Sequence, residues 1–449
     1  MLYLAVVLDA ATFGKYVFIT TTCAIVPLFA GLGTEHVLIM EASRSESLLP
    51  VQLGNALAVR APVSLALIGA GVLVVLGWDF DDPGAWFCIW FGSIVAAISN
   101  PLLMAVYRIT SNYVRPWIYL LTGTMILLVL VVAMGKGITL LTVAIAFAGA
   151  HLATLTLFAF DIRKRTTIRL EPQTFWKSFR SGIIFAASQA CDFIFARLDI
   201  FLVQALCGSR ALGVYSIGQK IVSMLQLIPA SVNIVELPEF HRAASDLGSL
   251  TLKFRVMRRA LTEIGTIAFG LLALNAKVII SSFFSDEYQH ASEVLMVLCA
   301  GGLILFANYP YYMLAEAIRA IRARLSARIV TTVGTAVAVA AGVKMLGVVG
   351  AAYGVLLGQL IFMLLLHKIT KTANGGMSAL ISDTRLCLLG VACLLGSVGL
   401  TSGLDSQPIR SFAASSLYVV TFLGGGYQLR WTLLVSLLAR GRTSKAAPS

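Results

Sequence analysis

Apolar positions in this chain neither alternate nor keep to one face of a helix. They run. Stretches of about twenty residues with few or no charges recur from one end to the other, which is the length a helix needs to cross the hydrocarbon of a bilayer. The pattern predicts helices near 15–34, 58–78, 85–107, 116–135, 138–160, 181–207, 211–235, 262–284, 294–316, 325–345, 347–367, 385–403 and 411–438. Continuous runs of this kind exclude a closed barrel, whose strands alternate lipid-facing and lumen-facing positions. Residues 1–8 form a further apolar stub, too short to span. It has neither a basic start nor a small-residue cleavage site, so it does not read as a signal peptide.

Composition sharpens the picture. Of 449 residues, 58% are hydrophobic and only 12% are charged, and the mean hydropathy is +0.88. Such a chain uses lipid as its solvent. That excludes a water-soluble enzyme, a secreted disulfide scaffold and a disordered regulator. Seven Cys and five His form no Cys-x-x-Cys or His-Glu-x-x-His pattern, and no phosphate-binding Gly-rich loop with Lys is present. No metal, no cofactor and no enzymatic chemistry are expected.

The net charge of +13 follows from topology. Most cations fall in one set of loops, including Arg44 and Arg60, Arg108 and Arg115, Arg163 to Arg180, Arg242 to Arg259, Arg319 to Arg328, and Lys368 and Lys371. The opposite set holds only Lys15, Lys136, Arg210, Lys277, Lys344 and Arg410, along with the acidic clusters Asp79/Asp81/Asp82 and Asp286/Glu287/Glu293. The basic side is therefore expected in the cytoplasm, with the C-terminus. A nucleic-acid partner is not expected. The loops are short, so the work is done within the membrane.

The two halves echo each other. Phe13-Gly14-Lys15-Tyr16 is matched by Leu212-Gly213-Val214-Tyr215, and Asn100-Pro101-Leu102-Leu103-Met104 by Tyr309-Pro310-Tyr311-Tyr312-Met313. The order predicts parallel repeats about an axis along the membrane normal. An N-lobe covers 1–161 and a basic linker 162–180, whose Phe175, Trp176 and Phe179 suggest an amphipathic surface helix. A C-lobe covers 181–370. Two additional helices fall within 384–438, followed by a tail at 439–449. A full helix, 181–207, precedes Leu212-Gly213, whereas only the stub precedes Phe13-Gly14. The first helix is therefore expected to be truncated.

The stretch from Arg197-Leu198-Asp199-Ile200-Phe201-Leu202 through Gly208, then Leu212-Gly213-Val214-Tyr215-Ser216 and Leu237-Pro238, resembles the middle of polysaccharide-biosynthesis membrane proteins. Phe13-Gly14-Lys15-Tyr16 and the run Leu346-Gly347 to Tyr353-Gly354 fit the same pattern. These proteins are the O-antigen and exopolysaccharide flippases of the multidrug/oligosaccharidyl-lipid/polysaccharide exporter superfamily. The resemblance implies an all-α polytopic fold, with two six-helix lobes around a central cavity and two extra C-terminal helices. It also implies translocation of undecaprenyl-diphosphate-linked oligosaccharide across the bacterial inner membrane. Membrane lipid, and the glycosyltransferases and polymerase of the same pathway, are the implied partners.

Charges in the apolar runs supply candidate residues, because a charge at mid-bilayer costs about 2.5–3.5 kcal/mol on insertion scales. Arg197 and Lys220 flank the turn near 208–211 at similar depth and suit a diphosphate. Asp199 and Asp192 suit a coupling ion. Arg108 is a further cation at a helix end. Asn308, Tyr309, Tyr311 and Tyr312 surround Pro310 and suit sugar contact, while Glu236, Glu239 and Glu316 suit ion pairs at helix ends. Two rivals are a drug or cation antiporter of the same superfamily and a membrane polysaccharide polymerase or ligase. The first needs acids inside the first half, and the second needs a large outer loop.

Overall fold

The computed structural model describes residues 2–42, 46–109, 114–135, 138–165, 168–371, 411 and 413–419, and among these there is no strand. The helices are α1 (Leu2–Val7), α2 (Ala10–Cys23), α3 (Val26–Gly31), α4 (Thr34–Ala42), α5 (Leu49–Gly77), α6 (Pro83–Ile109), α7 (Val114–Met134) and α8 (Leu140–Arg165), then α9 (Pro172–Leu225), α10 (Leu227–Ala243), α11 (Leu247–Phe283), α12 (Ala291–Ala317) and α13 (Ile321–Ile369). Nine stretches among the described residues are long and apolar enough to cross a membrane. The chain is a multi-pass, all-α membrane protein.

Local chemistry sets the helix ends. Asp9 caps α2 by accepting from the backbone N–H of Ala11 and Thr12 at 3.0 and 2.9 Å, and Asp246 caps α11 in the same way. Pro50 and Pro83 occupy first-turn positions, where a missing N–H costs nothing. Two helices longer than any single predicted span are broken internally by glycine. Gly208 (φ 79°) interrupts α9 and Gly347 (φ 59°) interrupts α13, and both conformations lie in the left-handed region that glycine alone enters freely.

The break in α13 reverses the chain. A Cβ on Gly342 would strike the backbone of Gly350, one on Gly354 would lie 2.5 Å from Val339, and one on Gly358 would strike Thr335. The paired numbers fall on one side as they rise on the other, so 321–346 and 348–369 form an antiparallel hairpin. Gly350, Gly354 and Gly358 recur every four residues and let the two backbones touch. Close approach through small residues is how helices gain packing energy in lipid, where apolar burial contributes little.

The chain divides into two compact units, one of residues 7–201 and one of residues 202–449 with 1–6. Each has the same internal order. A broken helix comes first, interrupted between α2 and α3 in one and at Gln226 between α9 and α10 in the other. A long helix follows, α5 or α11, and then one carrying an internal proline, Pro101 in α6 or Pro310 in α12. The last two helices are α7 and α8 in one unit and the two arms of α13 in the other. Gly135 after α7 and Gly347 share φ 59°.

Two features depart from the sequence pattern. Helix α4 is a separate element beyond the first predicted span. Residues 172–180 are the first turns of α9 rather than a helix of their own, with the rings of Trp176 and Phe179 in contact at 5.9 Å. Of the two C-terminal spans, 385–403 lies outside the described residues. The described part of 411–438 packs on α11, where Tyr418 Oη donates to Thr266 O at 2.7 Å and Asn275 Nδ2 donates to Ser415 Oγ at 2.7 Å.

Candidate functional site

Among the described residues of the unit 7–201, Arg60 is a fully buried charge. It is the twelfth residue of α5, not a loop cation, and it is 0% exposed. Its Nε donates to Thr34 Oγ1 at 2.9 Å, its Nη2 to Glu35 Oε2 at 2.5 Å, and its Nη1 to the carbonyl oxygen of Ala97. Thr34 Oγ1 in turn donates to Gly31 O at 2.7 Å. One guanidinium thus ties α4, α5 and α6 together. Gly31 makes room for it, since a Cβ there would sit 3.2 Å from Arg60 Nη2. Desolvating a cation this completely is tolerable only with a charged partner and satisfied donors.

A small pocket beside this cluster is lined by Thr34, Gln52, Asn55, Val59 and Phe179 among others. The segment after α8 is fastened next to it. Arg169 N donates to Pro50 O at 3.1 Å and Glu171 N to Asn55 Oδ1 at 3.3 Å. Gly54 is required at that spot, because any Cβ would strike the Arg169 backbone. The start of this segment is therefore fastened through its main-chain N–H groups.

The other unit carries an arginine at the same helical position. Arg258 is the twelfth residue of α11, 4% exposed, with its guanidinium 5.5 Å from the Phe254 ring centroid. Phe254 packs edge-on against Tyr311 at 5.0 Å. Around it the helix ends carry ion pairs. Lys253 lies 3.5 Å from Glu236 and 3.2 Å from Glu239, Glu239 also pairs with Arg242, and Arg324 lies 3.4 Å from Glu316. Arg328 donates to Tyr312 Oη at 3.3 Å and lies 5.3 Å from the Phe362 ring centroid. At the opposite helix ends Lys15 meets Asp81 at 2.7 Å and Arg210 meets Glu287 at 3.7 Å. The hydrogen bond from Lys15, with its charge, lowers the Asp81 carboxyl below its usual range.

The sequence-derived candidates lie on several elements. Arg197 and Asp199 are half-buried on the first arm of α9, and Lys220 is half-buried on the second arm, in the other unit. Asp192 and Arg108 lie on α9 and α6, with side chains outside the described residues. Tyr309 is half-buried, its ring 6.0 Å from that of Tyr312, whereas Tyr311 is 0% exposed in the aromatic core. Asn308 is buried and donates to Gln359 O at 3.4 Å. Glu236, Glu239 and Glu316 are ion-paired. Sequence reasoning missed Arg60, Glu35 and Arg258. Their signal was present, because each arginine stands at the same step from the start of a long apolar helix. Among the described residues no cluster of His, Cys, Asp and Glu fits a metal ion.

A profile described as polysaccharide biosynthesis protein matches residues 3–293. Among solved structures, the lipid II flippase MurJ in an inward closed conformation aligns with TM-score 0.61 at 14% identity, covering 93% of this chain and 99% of that one. An inward-facing multidrug resistance transporter of the MATE family, in the MOP superfamily, aligns with TM-score 0.67 at 14% identity, covering 83% and 93%. A Vibrio cholerae MATE transporter, VcmN in its bent form, aligns with TM-score 0.52 at 14% identity, covering 81% and 89%. No curated protein matches by sequence. These likenesses establish a fold shared with transporters of the MOP superfamily, and with the profile covering well over half of the sequence, the chain belongs to the polysaccharide biosynthesis protein family.

Proposed function

We propose that this protein is a flippase that carries polyprenyl-diphosphate-linked oligosaccharide from the cytoplasmic to the outer leaflet of the bacterial inner membrane by alternating access. The observation that carries this reading is the joining of a polysaccharide biosynthesis family profile to a fold shared with a lipid II flippase. Physics supports it. A diphosphate cannot enter hydrocarbon without positive charge to meet it, and the matching internal order of the two units supplies the repeats that rocking transporters use. In this reading Arg197 and Lys220 meet the diphosphate, with Arg108 at a helix end. Arg197 suits phosphate through its planar fork and Lys220 as a point charge. Asp199 and Asp192 bind the coupling ion, Tyr309 lines the route of the sugar while the fully buried Tyr311 supports the aromatic core against which Tyr309 packs, and glycosyltransferases of the same pathway supply the substrate.

The test is export of surface polysaccharide in a strain lacking its own flippase, with membrane abundance checked by immunoblot. Arg197→Ala and Lys220→Ala are expected to abolish export while the protein still inserts. Arg197→Lys is expected to restore only part of it, and Asp199→Asn to impair coupling more than binding. Normal export by the Arg197→Ala/Lys220→Ala double variant would withdraw the site. One observation favours the antiporter as a second reading, namely that Glu35 places an acid inside the first half. Its carboxylate is committed to Arg60, which argues for a structural pair. Loss of drug resistance without loss of polysaccharide on Glu35→Gln would reverse that judgement.

A further inference from the structure

The hairpin of α13 carries an uncompensated charge. From residue 317 to residue 371 the sequence contains no Asp or Glu, yet it holds four Arg and three Lys. The arginines divide into two kinds. Arg324 pairs with Glu316 from α12 and lies over the Tyr312 ring, and Arg328 reaches Tyr312 Oη and the Phe362 ring. These two are turned into the unit and are accounted for. Arg319 and Arg322 are exposed, as are Lys368 and Lys371 at the end of the returning arm.

The register of the hairpin brings these four together. Val339 lies against Gly354 and Thr335 against Gly358. Continuing that pairing toward the open end sets Leu325 level with Lys368 and Arg322 level with Lys371. The nearby acids on α10 and α11 are engaged elsewhere, Glu236 and Glu239 with Lys253 and Glu263 with Arg259. Below the cations, Leu325, Ile329, Val333 and Val337 recur every four residues along the first arm and are all exposed. In a membrane-spanning helix that stripe faces acyl chains.

We propose that the open end of the α13 hairpin is a binding surface for anionic phospholipid, with Arg319, Arg322, Lys368 and Lys371 holding the phosphodiester headgroup. The acyl chains lie along the apolar stripe of the first arm. General positive-inside anchoring accounts for cations at helix ends, but not for four exposed cations gathered at the open end of one hairpin beside a continuous apolar stripe, with the acids nearby already paired. An anionic lipid supplies both the missing charge and the apolar body. Arg and Lys near a membrane surface are attracted to such lipids over about a Debye length. The site is independent of the proposed transport substrate.

The experiment uses the full chain in mixed micelles of phosphatidylglycerol and phosphatidylcholine, with native mass spectrometry counting the retained lipids. The unmodified protein is expected to retain phosphatidylglycerol at least about fivefold over phosphatidylcholine. The quadruple variant Arg319→Gln/Arg322→Gln/Lys368→Gln/Lys371→Gln is expected to lose that preference. A control removing four exposed cations elsewhere, Arg163→Gln/Arg255→Gln/Lys277→Gln/Lys344→Gln, is expected to keep it. Three results overturn the proposal: no preference in the unmodified protein, as an acidic protein partner at this surface would give; an unchanged preference in the quadruple variant; or an equal loss in the control, which would mean that net charge alone is at work. If the quadruple variant does not insert, the doubles Arg319→Gln/Arg322→Gln and Lys368→Gln/Lys371→Gln carry the test. Each is expected to lower the ratio about twofold or more, and unchanged ratios in both overturn the proposal.

Discussion

At the scale of single residues, Arg60 shows how much one side chain is asked to hold. Its guanidinium is fully buried and binds one side chain of α4 through charge, another through a hydroxyl, and the backbone of α6 through Ala97. Removing one member of such a pair strands the other, at a cost of about 3–5 kcal/mol. Removing both and filling the space with apolar groups is often nearly neutral, because the desolvation penalty disappears along with the attraction. Arg60→Ala and Glu35→Ala are therefore each expected to lower the thermal unfolding midpoint of the detergent-solubilised protein strongly. The double variant Arg60→Met/Glu35→Leu is expected to recover most of the loss. If the double is as unstable as the sum of the singles, the two groups do not act as a pair and the cluster has another purpose. Sequence reading placed Arg60 among the loop cations because positive-inside counting assigns a charge near the start of a run to the nearest loop. Only the start of α5 at Leu49, set by Pro50 at the first turn, moves it inside.

At the scale of elements, the glycines of α13 decide the architecture. Gly347 supplies the left-handed turn, and Gly350, Gly354 and Gly358 supply the contact surface that follows it. The two roles separate by mutation. Gly347→Ala meets open space but forces a left-handed backbone on a residue with a Cβ, at about 1–2 kcal/mol. Gly354→Leu keeps helical geometry but drives a branched side chain into the backbone of Val339, so the arms must part. The expected order of stability, read from thermal unfolding in detergent, is unmodified protein, then Gly347→Ala, then Gly354→Leu. Gly354→Leu at full stability would mean the arms are not in the contact described. The spans themselves were legible in the sequence because hydropathy over about twenty residues is a strong, local signal. Thirteen apolar runs were marked, and those over described residues coincide with helices. The hairpin was legible too, since Gly347 separates two predicted spans. Helix α4 was not, because Thr34–Ala42 is too short to be a span and carries two acids. The docking of residues 168–171 on Gly54 was not either, because a main-chain contact leaves no trace in residue type.

At the scale of the whole molecule, the matching internal order of the two units places Arg60 and Arg258 at the same step of a long helix. The sequence expectation of a repeat rests on Phe13-Gly14 with Leu212-Gly213 and Pro101 with Pro310, which are turn and kink residues. The equivalence of Arg60 and Arg258 was hidden, because both were counted as evidence of sidedness rather than as interior groups. Moving them inside leaves the charge asymmetry intact. Arg163, Arg242, Arg255, Arg319, Arg322, Lys368 and Lys371 remain exposed at one set of helix ends. The other set holds the acid-bearing turns after α5 and α11, with the pairs Lys15–Asp81 and Arg210–Glu287. Lysine and arginine in short loops are retained on the cytoplasmic side, whereas acids contribute little to orientation. The turn after α5 is therefore expected outside the cell membrane and the turn before α11 inside. Asp79 is the better probe of the first, because Asp81 is tied to Lys15. The measurement is labelling of single-cysteine variants, Asp79→Cys and Arg255→Cys, in a background with the seven native cysteines replaced, using a membrane-impermeant thiol reagent on intact spheroplasts. Asp79→Cys is expected to label at once, and Arg255→Cys only after the membrane is opened. The reverse pattern would invert the orientation, and with it the direction of transport and the leaflet that the α13 surface faces.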